Sequence, residues 1–246
     1  MSTFRYAADL KKTFKCYGHF YRLNVEGAEP ILCRSVLEIT SLPREAVGAG
    51  TDPDDLFGNR TFKGMVSSRP DAVVIMMNPG SSRPIEDGDT ESLLTMPLPK
   101  DFKKPLVLTQ PDNTQYQIMR IAASKGWNHV RVLNISDIRD PKSPSFIART
   151  KKLDGMTGGE AHSLFSKVRK TEREQMLKRK PGAPFILGWG QNAGLIPLAK
   201  QCLDCIDGAH IVTVPAGNDP VLTAHPSPML QAKKEAWLED ILFSLA

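Results

Sequence analysis

Four short apolar runs, each halted by a polar or glycine turn, constrain the fold of this chain more than any other feature. They read "AVVIMM" (72–77), "HVRVLN" (129–134), "PFILGWG" (184–190) and "HIVTV" (210–214). Runs of this length, rich in Val and Ile, read as strands, and a continuous apolar run predicts burial on both faces. Helical patterns separate them. Asp112 is a candidate N-cap for "NTQYQIMRIAASK", which Gly126 stops. "GEAHSLFSKVRKTEREQMLKRK" (159–180) reads as a basic helix ended by Pro181-Gly182, and "NAGLIPLAKQCLDCI" as the helix after the third run. A last helix is expected from near Ser227, burying Trp237, Leu238, Ile241 and Leu245. The alternation predicts an α/β three-layer sandwich, with a central, mostly parallel sheet of four to five strands flanked by helices.

The N-terminal part reads differently. Residues 14–41 form two strand patterns around "EGAEP", a β-hairpin, and 42–64 are a Pro/Gly/Asp-rich connection. The expected organisation is a β-rich extension over 1–68 packed on a core domain of 69–246, with a basic helical insertion at about 149–180. Residues 81–111 are polar and proline-punctuated, and a loop that long in a compact domain is often functional.

In parallel sheets ligands gather beyond the carboxyl ends of the strands. Asn78, Asn134, Trp189-Gly190 and His225 each follow directly on a predicted strand, the last after the short extended piece "VLTA". The topology rule therefore sets them along one rim.

Charge adds a second signal. The chain carries +5 overall, yet Arg149 to Lys180 alone holds ten Lys/Arg against four acids. A local basic stripe is the footprint expected for phosphate backbones; a solvated helix face would carry the same residues. The four cysteines, at 16, 33, 202 and 205, are expected as thiols in a reducing compartment. Cys202 and Cys205 have metal-ligand spacing, which Cys16 and Cys33 could complete, but they lie in an apolar helical pattern where cysteines pack as small hydrophobes. No run reaches the roughly 18 apolar residues of a membrane span. The first fifteen residues lack an apolar signal core, so a cytoplasmic protein is expected; a monomer is the accompanying expectation.

Taken in order, several segments resemble the uracil-DNA glycosylase superfamily. "MMNPG" (76–80) is similar to the first motif, "GINPG", of its mismatch-specific uracil/thymine branch, with Met76 in place of the leading glycine. "VRVLNISDIR" (130–139) resembles the strand that delivers a base-reading asparagine. "FILGWGQNAG" (185–194) is similar to the strand and turn "LLxGxxA", and "TAHPSPMLQ" (223–231) resembles the final "HPSPLS". The likeness covers roughly 70–242 and leaves the first seventy residues uncovered. It implies a monofunctional DNA glycosylase, with water as nucleophile, no lysine intermediate, and neither cofactor nor metal.

The residues carry that chemistry on physical grounds as well. Breaking an N-glycosidic bond builds positive charge on the sugar and negative charge on the leaving base, so placed donors and a placed water dominate catalysis. A neutral His225 can donate to a pyrimidine O2. Asn78 can orient a water but cannot deprotonate it, which suits bases that leave easily. Asn134 offers a donor and an acceptor to a flipped base. By the resemblance, Met229 stands where an apolar wedge enters the vacated stack. Pro79 and Gly80 would line the base, and a glycine where the uracil-specific branch has an aromatic residue leaves room beside the pyrimidine 5-position. Uracil, mismatched thymine or a 5-modified pyrimidine would be accommodated. Ser81, Ser82 and Ser227 could grip phosphates or cap turns, and Lys167, Arg169, Lys170 and Arg173 would hold the DNA backbone. The family's stacking aromatic has no clear counterpart; Phe102 and Tyr116 are the nearest candidates.

Other readings predict different behaviour. A non-catalytic nucleic-acid binder on this scaffold would keep DNA affinity without His225 and form no abasic product. A hydrolase of free nucleosides or nucleotides would need neither Met229 nor the basic helix. A cysteine-ligated metal protein would show metal on purification.

Overall fold

The computed structural model describes residues 5–41, 68–85, 91–98 and 105–246. Its helices are α1 (Ala7–Thr13), α2 (Asn113–Lys125), α3 (Ser143–Asp154), α4 (Lys170–Met176), α5 (Ile196–Cys205) and α6 (Gln231–Ser244). Its strands are β1 (Phe14–Leu23), β2 (Ile31–Ser41), β3 (Ala72–Met76), β4 (Ser92–Leu94), β5 (Val107–Leu108), β6 (His129–Asn134), β7 (Phe185–Gly188) and β8 (Ile211–Thr213). They form one mixed eight-stranded sheet in the order β4-β1-β2-β6-β3-β7-β8, with β5 also on β1.

The four apolar runs become the contiguous set β6-β3-β7-β8, all mutually parallel. β3 explains why its run has no polar alternation: all five of its residues are buried. Val73 and Ile75 enter a core with Phe146 of α3 and Leu198, Ala199 and Cys202 of α5. Ala72, Val74 and Met76 enter the opposite core with Leu10 of α1, Ile118 and Met119 of α2, and Trp237 and Ile241 of α6. Successive side chains point to opposite faces, so two helical layers demand an apolar residue at every position.

The sheet is larger and less parallel than its sequence suggests. The hairpin β1–β2 is antiparallel and bonds into the sheet, β2 running antiparallel to β6 with Leu37 opposite Val132. It is a continuation of the sheet and not a layer laid upon it. The cause is polar as well as apolar. Buried Glu38 on β2 accepts from Arg131 Nε of β6 at 2.7 Å, and its other oxygen meets His129 Nε2 at 2.6 Å. The connection 42–64 lies outside the described residues, and the long loop contributes β4 and β5 to the sheet edge.

α2 follows its sequence signals closely. Asp112 Oδ1 accepts from Thr114 N and Gln115 N, Gln115 closes the capping box, and Gly126 ends the helix at φ 67°. The expected basic helix over 159–180 does not form as one element. Gly158, at φ 76°, breaks the chain after α3, and only two 3₁₀ turns and α4 follow. A Cβ on Gly159 would stand 1.8 Å from the Leu153 carbonyl oxygen, so the chain folds back tightly there. α3 itself occupies residues that read partly as loop. α6 begins at Gln231, so Ser227 is not its N-cap.

Cys16 belongs to one core and Cys33 and Cys202 to the other, on opposite faces of the sheet. Burial pushes the Cys16 thiol up to about 12. Among the described residues no cluster of His, Cys, Asp or Glu could hold a metal ion, and no helix is long and apolar enough to cross a membrane.

Candidate functional site

A cavity of about 460 Å³ opens at the carboxyl ends of β3, β6 and β7. Asn78, Asn134, Trp189, Gly190 and His225 all line it, as the strand-end rule predicts.

Asn78 follows β3 by two residues. Its Nδ2 donates to the backbone carbonyls of Ile138 at 3.1 Å and Asp140 at 2.7 Å. Both amide hydrogens are spent, so Oδ1 is the atom left to accept from a ligand or a water. Beside it, Pro79 is buried, and Gly80 adopts φ 60°, the left-handed conformation glycine tolerates best. A Cβ on Gly80 would meet nothing within 4 Å, so the space beside the turn is open.

Asn134 ends β6 and is buried. The amide orientation that satisfies its neighbours has nitrogen donating to the Asn78 carbonyl at 3.2 Å and oxygen accepting from Arg34 Nη2 at 3.3 Å. One amide hydrogen remains for a ligand.

His225 is placed by a short extended segment. Ala224 N donates to Val214 O at 2.7 Å, and Thr223 Oγ1 accepts from Trp189 N at 2.9 Å. The next residue, Pro226, packs so closely on β7 that a Cβ on Gly188 would lie 2.9 Å from its Cγ and Cδ. Ser227 N donates to His225 Nδ1 at 3.1 Å. That bond requires Nδ1 unprotonated, so the neutral ring carries its proton on Nε2. Burial lowers the pKa of His225 and favours this neutral donor. Gly188→Ala is expected to cost about 1–3 kcal/mol through overpacking and to displace the imidazole. Urea unfolding and the NMR titration of His225 measure the two effects.

Two carboxylates stand at the cavity. Asp112 is occupied in capping α2, and Asp140 accepts from Lys142 N at 2.9 Å and Ser145 Oγ at 2.7 Å. Both serve backbone geometry; Asp112 was expected as a helix cap, and neither was expected at the cavity.

Several other expectations are corrected. Ser81 is exposed at the cavity, but Ser82 is buried and accepts from Arg34 Nη1 at 2.7 Å, so it is turned away from any phosphate. Arg169 is fully buried against Asp137 at 2.6 Å and Glu172 at 2.7 Å, which removes it from a DNA-facing surface. Arg173 is half-buried and staples its own segment by donating to Ser166 O at 2.7 Å. Lys167 and Lys170 remain exposed and flank a second groove with Pro97 and Leu98. Ser227 contributes its backbone rather than a helix cap. Met229 is 98% exposed. Tyr116 is buried in the α2 core and does not line the cavity, Phe102 lies outside the described residues, and among the described Phe, Tyr and Trp residues Trp189 lines the cavity.

The residue sequence reasoning missed is Arg34, on β2, fully buried and lining the cavity. Its only signal was a charge inside the apolar strand pattern "ILCRSVLEIT". Neither a family model, nor a curated protein, nor a solved structure matches this chain.

Proposed function

We propose that this protein is a monofunctional DNA glycosylase that excises uracil, mismatched thymine or a 5-modified pyrimidine. One observation carries the reading: an amide with only its oxygen free and an imidazole with only Nε2–H free line a single cavity at the strand ends. Those are the two functions that hydrolysis of an N-glycosidic bond requires. Asn78 Oδ1 accepts from a water and aims its oxygen at the anomeric carbon. The C1′–N bond breaks with both electrons leaving on the base, and His225 Nε2–H stabilises that charge at a pyrimidine O2. The water oxygen bonds to C1′ and gives up a proton, the base is protonated in turn, and a free base and an abasic sugar remain. Asn134 reads the base edge, and the open space at Gly80 accommodates a 5-substituent. The resemblance of the NPG and HPSP segments to the uracil-DNA glycosylase superfamily supports the same assignment.

A second hollow, about 530 Å³, shares Gly190, Gln191 and His225 with the first and extends to Met229. A groove running from base site to exposed apolar tip suits a polymer with one nucleotide turned inward. Lys167 and Lys170 keep the backbone-holding role in this reading. The burial of Arg169 favours the rival, a hydrolase of free nucleosides or nucleotides, because it shrinks the basic footprint.

The test is incubation with oligonucleotides carrying uracil, thymine mismatches and 5-substituted pyrimidines, followed by alkaline cleavage, with Asn78→Ala as control. Met229→Ala is expected to slow release from duplex by about tenfold, equivalent to ~1.4 kcal/mol, and to leave single-stranded substrate unaffected. Equal rates on duplex would remove the wedge role of Met229, and release only from free nucleosides would select the rival.

A further inference from the structure

Three arginines are fully buried among the described residues: Arg34, Arg131 and Arg169. Two hold carboxylates directly, Arg131 with Glu38 at 2.7 Å and Arg169 with Asp137 at 2.6 Å. Arg34 does not. Its Nη1 donates to the Ser82 hydroxyl and its Nη2 to the Asn134 amide oxygen, both neutral groups, and its Nε has no partner. Burial lowers its pKa to about 10, so it is still a cation at neutral pH. Asp112 and Asp137 offset that burial through space, but neither bonds the guanidinium; a buried charge that touches no carboxylate can still take an anion supplied from elsewhere. Of the three, Arg34 alone lines the cavity.

We infer that Arg34 makes this cavity a receptor for a pyrimidine carrying negative charge, the guanidinium meeting the base at the end where Asn134 stands. On the glycosylase reading, which this deepens, that pyrimidine is the departing base. When the C1′–N1 bond breaks, its electron pair spreads over the ring to both exocyclic oxygens. His225 Nε2–H stabilises one end, and the spare N–H donors of Arg34 stabilise the other. A guanidinium carries five N–H donors in a fixed fork, so the bonds to Ser82 and Asn134 leave donors over while holding the plane in place. A neutral base gains little from a full positive charge, whereas an anion formed in a water-poor cavity gains a great deal. The assignment also accounts for the weak nucleophile support from Asn78: the transition state is stabilised at the leaving group instead.

The test uses Arg34→Gln, which keeps a planar donor without charge, and Arg34→Lys, which keeps charge without the fork. The binding probe is 5-nitrouracil, an acidic uracil whose absorbance distinguishes its neutral and ionised forms. The wild-type protein is expected to bind the ionised form and to shift its ionisation to lower pH. Arg34→Gln should bind it at least tenfold more weakly, with Arg34→Lys in between. In single-turnover release from oligonucleotides carrying 5-fluorouracil, uracil and thymine, Arg34→Gln should slow the least acidic leaving base most. A merely structural role would slow all three by one factor. Equal binding of 5-nitrouracil by wild type and Arg34→Gln, binding of its neutral form by wild type, or one common factor across the three bases overturns the inference while leaving the glycosylase reading intact. Arg34-dependent anion binding with no base released from any oligonucleotide supports the receptor and sinks the glycosylase reading instead. Should Arg34→Gln fail to fold, the ionisation state of 5-nitrouracil on the wild-type protein still decides.

Discussion

Alanine at His225 is expected to lower single-turnover base release by about 10²–10³-fold, the cost of losing one placed donor to a developing oxyanion, with the fold intact. The imidazole sits on a loop held by backbone bonds from Ala224 and by the packing of Pro226 on Gly188, so removing the ring leaves those anchors in place. His225→Gln, which restores an N–H of similar reach, should recover part of the loss. Acidification acts on the same group. Because burial lowers its folded pKa beneath the ordinary 6.5, the unfolded chain takes up the proton first as pH falls. The stability His225 contributes is therefore whole above about pH 6.5 and is lost as pH drops from there through the folded pKa. Protonation at Nδ1 also turns the acceptor of the Ser227 N–H bond into a second donor, so the loop loses a tie in the same window. Urea midpoints at neutral and mildly acidic pH should fall more for wild type than for His225→Ala. Wild-type rates of base release in His225→Ala would refute the assignment.

The parts legible in the sequence are those where one physical demand dominates. β3 needs apolar side chains on both faces, and its run of them identified a central strand. Asp112 and Gly126 announce α2 because a helix end has orphan backbone groups that only certain residues satisfy. Where two demands compete, the text is ambiguous. Cys202 and Cys205 have ligand spacing that Cys16 and Cys33 could complete, but Cys16 lies on the opposite face of the sheet from Cys33 and Cys202. Arg169 and Lys170 are neighbours with the same sign; one is buried by Asp137 and Glu172 and the other is solvated, and nothing local to the pair says which. The hairpin was legible as a hairpin but not as part of the main sheet, because the pairing of Glu38 with Arg131 spans 93 positions. The placement of Asn78 and Asn134 on the cavity wall could be read from strand ends alone; His225 follows only an isolated antiparallel bridge at Thr223, not a strand. Arg34 could not, since it reaches the same cavity from an antiparallel strand to which the strand-end rule does not apply.

Asp137→Ala is expected to be the most destabilising single substitution considered, by about 3–5 kcal/mol, because removing one partner of a buried pair strands the other's charge. Asp137 Oδ2 accepts from Arg169 Nη1 at 2.6 Å and from the Tyr21 hydroxyl at 2.8 Å, both inside the core. Burial opposes the charge of Arg169, yet Asp137 and Glu172 outweigh it and raise the pKa further. Without Asp137 only Glu172 remains to balance that guanidinium. Arg169→Met together with Asp137→Asn removes both charges, and the double variant should recover much of the loss, which a double-mutant cycle in urea measures. The consequence reaches the cavity. Asp137 O accepts from Arg34 N at 2.9 Å, and the carbonyls that anchor Asn78 belong to Ile138 and Asp140, one and three residues further on. Loosening Asp137 therefore frees the Asn78 amide, so base release should fall along with stability. Lys167→Ala with Lys170→Ala makes the opposite case: the urea midpoint stays put, while DNA affinity falls and its salt dependence becomes shallower. If Asp137→Ala leaves the midpoint unchanged, or the lysine pair lowers it as much, then the basic segment is held by something other than the Arg169–Asp137 pair.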